Sequence, residues 1–255
     1  MVNHQSISNI YVFTSDKDAE LLTIAAQNGF PVVDEVSDSN ALYLLKKDGK
    51  LSLQADIDGD LINASVDFIS AEMEHRLKQG HGKNQALAKA IGLNKKSGLR
   101  IVDATAGLGR DSFILASLGC DVLMVERSIP VALLLADGLV RAKENEQIQS
   151  VISRLSLKVD NSEIIINALN EKPDVIYLDP MFPERKKSAK VKKEMQLLQR
   201  LHGHETDDDT LLQSALQSAK RVVVKRPKGA EPFCSKPPSH VIETKKMRYD
   251  VYMCF

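Results

Sequence analysis

Cysteine is scarce in this chain, and Cys120, Cys234 and Cys254 are odd in number and widely scattered. That excludes a disulfide scaffold and a cysteine-based zinc cluster. The thiols read as reduced, which points to a cytoplasmic location. Long apolar runs are also missing. The longest, Val131 to Ala136, falls far short of the ~20 residues a bilayer helix needs. The first thirty residues carry Asp16, Asp18 and Glu20 and lack a charged-then-apolar leader, so no secretion signal is expected. The six histidines have no metal-ligand spacing. His202 and His204, close to Asp207, Asp208 and Asp209, read as a polar loop, and no metal is expected. Internal repeats and low-complexity tracts are absent as well.

What is present is an ordinary globular balance. Of 255 residues, 43% are hydrophobic and 27% charged, enough for one large core or a core plus a smaller lobe. The net charge of zero conceals an asymmetry. Residues 1–74 hold thirteen acidic and four basic side chains, leaving 21 acidic and 30 basic for residues 75–255. The segment from His75 to Val102 has seven basic residues, among them Arg76, Lys78 and Lys83, and no acid. Arg185 to Lys193 has six, including Lys186 and Lys187, again without an acid. Lys225, Arg226 and Lys228 form a third run. One such run reads as a solvated face; three point to a polyanionic partner.

Residues 1–65 read as a small acidic α+β lobe. Strands are expected over 9–13, 41–46, 51–55 and 61–66, with a helix over 19–28 closed by Gly29 and turns at Asp48-Gly49 and Asp58-Gly59. Residues 66–97 form a basic helical connector, with helices over 69–78 and 85–91. From residue 98 to 255 the rhythm changes to alternating strands and helices. Strands are expected at 99–103, 121–126, 155–159, 175–178 and 221–225, with helices at 111–118, 129–145, 162–169 and 210–219. A closing antiparallel pair spans 241–245 and 248–254. This order implies a mostly parallel sheet covered on both faces. Ligands then belong at the carboxyl ends of the strands, where strand order reverses.

Three motifs carry chemistry. Asp103-Ala-Thr-Ala-Gly107-Leu-Gly109-Arg110-Asp111 lies at a strand-to-helix turn, where glycines let backbone approach a nucleotide-like ligand. Ser112 stands where a dinucleotide fingerprint wants a third glycine. An acid four residues before the first glycine suits S-adenosylmethionine, which has no pyrophosphate but carries an ammonium and a sulfonium. Glu126 ends the next strand and can accept both hydroxyl hydrogens of a ribose; it does not separate a nicotinamide dinucleotide from S-adenosylmethionine. Asp179-Pro180-Met181-Phe182 does. An exocyclic amine is a poor nucleophile because its lone pair is delocalised into the ring. The Asp179 side chain and the Pro180 carbonyl, accepting its N–H groups, would localise that lone pair and aim it. Phe182 would stack on the base.

These residues, with Val125-Glu-Arg127, Tyr177-Leu-Asp-Pro-Met-Phe-Pro183, Lys192-Lys-Glu-Met195 and Val222-Val-Val-Lys-Arg-Pro227, resemble the bacterial ribosomal RNA small subunit methyltransferase J family. Val66-Asp-Phe68 and Ala88-Lys-Ala90 are similar to its upstream segment. The resemblance implies a Rossmann-like α/β fold and S-adenosylmethionine-dependent methylation of guanosine N2 in 16S rRNA. It assigns cofactor contacts to Arg110, Asp111, Glu126, Arg127 and Asp179. Asn161 and Ser162 stand where the family has a pair of small hydroxyl residues on the cofactor. Asp103, Gly107 and Gly109 complete the cofactor set, and Asp179, Pro180 and Phe182 the catalytic one. RNA phosphates are expected on Arg76, Lys78, Lys83, Arg185, Lys186, Lys187, Lys225 and Arg226. The partner implied is 16S rRNA or the small ribosomal subunit, met by a monomer in the cytoplasm. Readings kept beside this one are a methyltransferase of DNA bases or protein amides, a nicotinamide-dependent oxidoreductase and a non-enzymatic RNA-binding protein.

Overall fold

The computed structural model describes residues 9–38, 40–78, 83–180, 193–202 and 208–254. The amino-terminal part runs β1 (Ile10–Phe13), α1 (Ala19–Asn28), β2 (Val32–Val33), β3 (Leu42–Lys47), β4 (Lys50–Ile57) and β5 (Asp60–Ser65). Asp18 caps α1 by accepting the Glu20 and Leu21 N–H groups, and Gly29 ends it at φ 69°. The β3–β4 and β4–β5 hairpins turn on Asp48-Gly49 and Asp58-Gly59. All four residues have positive φ, as two-residue turns matched to strand twist require. Among the described residues this sheet is five-stranded, in the order β2-β1-β3-β4-β5.

Then follow α2 (Ala71–Lys78), α3 (Lys83–Ile91), β6 (Arg100–Asp103), α4 (Arg110–Ser117), β7 (Asp121–Glu126), α5 (Ile129–Lys143), α6 (Gln149–Ile152), β8 (Leu155–Val159), α7 (Ser162–Asn167), β9 (Val175–Leu178), α8 (Lys193–His202), α9 (Asp208–Ser218), β10 (Arg221–Pro227), a short 3₁₀ turn at Phe233–Ser235, β11 (His240–Glu243) and β12 (Met247–Met253). The second sheet has seven strands among the described residues, ordered β11-β12-β10-β9-β6-β7-β8. Strands β10, β9, β6, β7 and β8 are parallel; β12 runs antiparallel to β10, and β11 runs antiparallel to β12. The chain leaves β6 toward β7 and β8, then returns to β9 on the other side of β6. The switch point therefore lies between the ends of β6 and β9.

Period-two alternation sorts the strand residues between the two faces. Ile101, Val122, Met124, Val175, Tyr177 and Val223 join α3, α4 and α5 in one apolar cluster. Val102, Val125, Ile176, Leu178, Val222 and Val224 join α7 and α9 in the other. The first cluster continues without a break into the amino-terminal sheet through Val12, Leu44, Leu53 and Val66. Helix α5 makes that junction. Gly138 presses on Val66, where an added Cβ would meet Val66 Cγ1 at 2.5 Å. Asp137 accepts the Leu51 N–H, and Arg141 donates to both Asp137 and the Val66 carbonyl. On α8, Arg200 donates to the Asp56 and Asn40 carbonyls.

The structure adds elements the sequence reading did not anticipate: the two-residue strand β2, the short α6, and α8. Strand β10 also runs two residues further, to Pro227. Among the described residues no helix is long and apolar enough to cross a membrane, and no group of three His, Cys, Asp or Glu side chains could hold a metal ion.

Candidate active site

The site is built on the ends of β6, β7 and β9. Asp103 closes β6 and is 2% exposed. It accepts the Thr105 N–H and the Ser112 hydroxyl hydrogen, so Ser112 holds the turn from inside. Burial, then the nearby Asp111 and Asp179 charges, outweigh those hydrogen bonds and push the Asp103 carboxyl up to about 7. Gly109 has φ 70°, and a Cβ there would meet Leu135 Cδ1 at 2.8 Å. Gly107, at φ 52°, differs: its Cβ would find only the Thr105 carbonyl, at 4.0 Å. One glycine is needed for packing, and the other borders open space.

Glu126 ends β7 and turns toward that space. Its carboxylate accepts the Gly107 N–H at 3.0 Å and the Ser128 N–H at 2.7 Å. Arg127 beside it is exposed, and Arg110, with Asp67 and Ser70, lines a cavity of about 140 Å³. Asn161 and Ser162 are engaged locally. The Asn161 side chain caps α7 by accepting the Glu163 N–H, and the Ser162 hydroxyl donates to the Ala104 carbonyl at 2.6 Å. The Ser162 bond ties the turn after β8 to the turn after β6.

Asp179 follows β9, and its N–H donates to the Thr105 hydroxyl at 2.6 Å. The Ala104 N–H donates to the Tyr177 carbonyl at 3.0 Å. The glycine turn and the Asp179-Pro180 turn therefore converge at the switch point. Pro180 is buried. Phe182, Arg185, Lys186 and Lys187 lie outside the described residues. Arg76 and Lys78 fall on α2, and Lys83 opens α3.

Two of the residues expected on RNA phosphates have partners within the protein. Lys225 lies between Asp179 and Asp111, with Nζ 2.6 Å from one carboxylate and 2.7 Å from the other. The guanidinium of Arg226, on the opposite face of β10, sits 5.5 Å from the Phe233 ring centroid and donates to the Glu231 carbonyl. Tyr177, unremarkable in an apolar strand, donates its hydroxyl hydrogen to Asp111 at 2.7 Å. Burial, then Asp111 and Asp179, hold that hydroxyl well above the usual tyrosine range. Burial raises Asp179 and Lys225 opposes it, while Asp111 raises it further; Asp179 settles at about 6. Carboxylates that push one another up mark a site rich in negative charge. That charge, the open side of Gly107 and the carboxylate of Glu126 fit a cofactor carrying a ribose, an ammonium and a sulfonium.

Comparison with known proteins agrees with this chemistry. Residues 25–254 match a family described as "Putative SAM-dependent methyltransferase". Ribosomal RNA small subunit methyltransferase J of Shewanella piezotolerans is 45% identical, covering 98% of this chain and 86% of its own length. The same enzyme of Alteromonas mediterranea is 44% identical over 94% of both chains. The chain belongs to the ribosomal RNA small subunit methyltransferase J family. A crystal structure of a SAM-dependent methyltransferase from Neisseria gonorrhoeae, 33% identical, superposes with a TM-score of 0.76 over 97% of this chain and 96% of that one. Membership in the methyltransferase J family establishes the Rossmann-like fold and S-adenosylmethionine as the cofactor, as the resemblance implied. The nicotinamide reading is thereby set aside.

Proposed function

We propose that this protein methylates the exocyclic N2 amine of a guanosine in 16S rRNA. The observation that carries the reading is the convergence of the Gly107–Glu126 turn with the Asp179-Pro180 turn at the switch point. Glu126 would hold the cofactor ribose, and Asp103, Asp111 and Asp179 would face its cationic end. Bound there, S-adenosylmethionine supplies an electrophilic methyl group.

Asp179 and the Pro180 carbonyl accept the two N–H hydrogens of the target amine, which restores lone-pair density on nitrogen. An ionised Asp179 then takes the proton the amine must lose, a task suited to a carboxyl poised near neutrality. Thr105 accepts the Asp179 N–H and holds the backbone from which the carboxylate projects. The target base must leave its stack, at a cost of a few kcal/mol if it is paired, and Phe182 would receive its face. Phosphate contacts from Arg76, Lys78, Lys83, Arg185, Lys186 and Lys187 would position the RNA without reading its sequence.

Mass spectrometry of small-subunit rRNA from a strain lacking the gene tests this. One guanosine should lose its N2 methyl and regain it on complementation. Unchanged rRNA modification, or loss of a methyl from another atom, would contradict the reading.

A further inference from the structure

We infer that Lys225 is a positioning residue of the transfer site, a bridge that presents the Asp179 carboxylate ionised and in one orientation while tying it to Asp111 on the cofactor side. The inference rests on the proposed N2 methylation.

The register of the sheet puts Lys225 there. Val224 pairs with Leu178, so the residues that follow, Lys225 and Asp179, stand side by side just past the end of β9. Val222 and Val224 point into the second apolar cluster, and alternation sends Lys225 to the other face with Tyr177 and Tyr249. Its side chain is 20% exposed, with Asp111 at 19% and Asp179 at 33%. The two acids come from separate elements, Asp111 from the first turn of α4 and Asp179 from the end of β9. One ammonium joins them.

Among the described residues, the charged and titratable groups that act on Asp179 or feel its charge come from five elements: Asp111 on α4, Asp103 on β6, Tyr177 on β9, Lys225 on β10 and Tyr249 on β12. Lys225 is the cation among them. Burial and Asp111 favour a protonated Asp179, which would offer one acceptor fewer and could not take a proton from the amine. Lys225 opposes both effects, and its short contact with Asp179 Oδ2, from an ammonium anchored on Asp111, restrains that carboxylate. The two acids hold the lysine charged, outweighing its burial.

The test compares wild type with Lys225→Gln, Lys225→Arg and Asp111→Asn. Methyl transfer to unmodified small-subunit rRNA is followed across pH at saturating cofactor. The Asp179 carboxyl is titrated in parallel by ¹³C NMR, assigned with Asp179→Asn. In Lys225→Gln the acidic limb of the rate and the carboxyl titration should both move up by a unit or more, so that activity falls about tenfold below neutrality and recovers at alkaline pH. Lys225→Arg should bring both back toward wild type, and Asp111→Asn should move them down.

A uniform loss in Lys225→Gln at every pH, with the carboxyl titration unmoved, would reduce Lys225 to a structural ion pair and overturn the inference. If Lys225→Gln does not fold, the other two variants decide: an Arg variant that titrates far from wild type, or no downward move in Asp111→Asn, overturns it. If wild type transfers no methyl to rRNA, the proposed function fails, and the carboxyl titrations alone judge the bridge.

Discussion

Glu126 and Gly107, 19 residues apart, are joined by a hydrogen bond of 3.0 Å from the Gly107 N–H to the Glu126 carboxylate. The same carboxylate takes the Ser128 N–H, so it braces the end of β7 against the glycine turn beside the proposed cofactor site. Glu126→Gln puts an amide where the backbone offers only donors. Cofactor affinity should fall at least tenfold, consistent with about 1.5–3 kcal/mol for a hydrogen bond to a charged group. Calorimetric titration with S-adenosylmethionine reads this directly; unchanged affinity would remove Glu126 from the cofactor site.

Asp179→Asn keeps the shape of the side chain but replaces one acceptor with a donor and removes the proton acceptor. Methyl transfer should drop by about 10²- to 10³-fold, the scale of losing one preorganised catalytic contact. The loss in cofactor affinity should be smaller than the loss in rate. Tritiated-methyl transfer alongside calorimetry separates the two, and a variant of full activity would end the assignment.

Asp103 gives a pH signature in stability. Its carboxyl stands at about 7 in the folded chain against an ordinary 3.8. As pH rises from about 4 to 7, the unfolded chain ionises this group while the folded chain keeps its proton, so folding loses stability over that window and no more above it. Asp103→Asn lacks this loss. Urea midpoints at pH 5 and pH 8 should show the variant gaining on wild type by a few kcal/mol at most, given about 1.4 kcal/mol per pKa unit. A difference independent of pH would show that Asp103 is ionised in the folded protein.

Gly138→Ala drives a methyl into Val66, with Cγ1 at 2.5 Å, Cβ at 2.8 Å and the carbonyl oxygen at 3.1 Å. Backbone as well as side chain must yield. The overpacking should cost about 1–3 kcal/mol and lower the melting temperature by several degrees; an unchanged melting temperature would mean that α5 can slide off the connector freely.

Much of the architecture was legible in the sequence. Strands β7, β8 and β9 run over the residues expected, because each is an apolar or alternating run cut off by turn residues. The Asp48-Gly49 and Asp58-Gly59 hairpins follow from the positive φ those pairs tolerate. Strand β2 is two residues long, and its existence depends on a parallel partner, β1, that no local pattern specifies. Helix α8 carried its own signal, Leu197, Leu198 and Leu201 at helical spacing, overshadowed by the basic run just before it. For the site, residue type indicated that Glu126 and Asp179 end strands. It could not tell which charges meet. Lys225 looked like the other lysines until strand register set it beside Asp179, and no local pattern told that the Asn161 oxygen caps α7.

The unbroken apolar cluster beneath α5 limits how this protein can be recombined with its relatives. An amino-terminal sheet exchanged as a cassette would arrive without the surface it was fitted to. A working chimera would have to bring Asp137, Gly138 and Arg141 along, although all three lie well beyond any boundary drawn from the strand pattern.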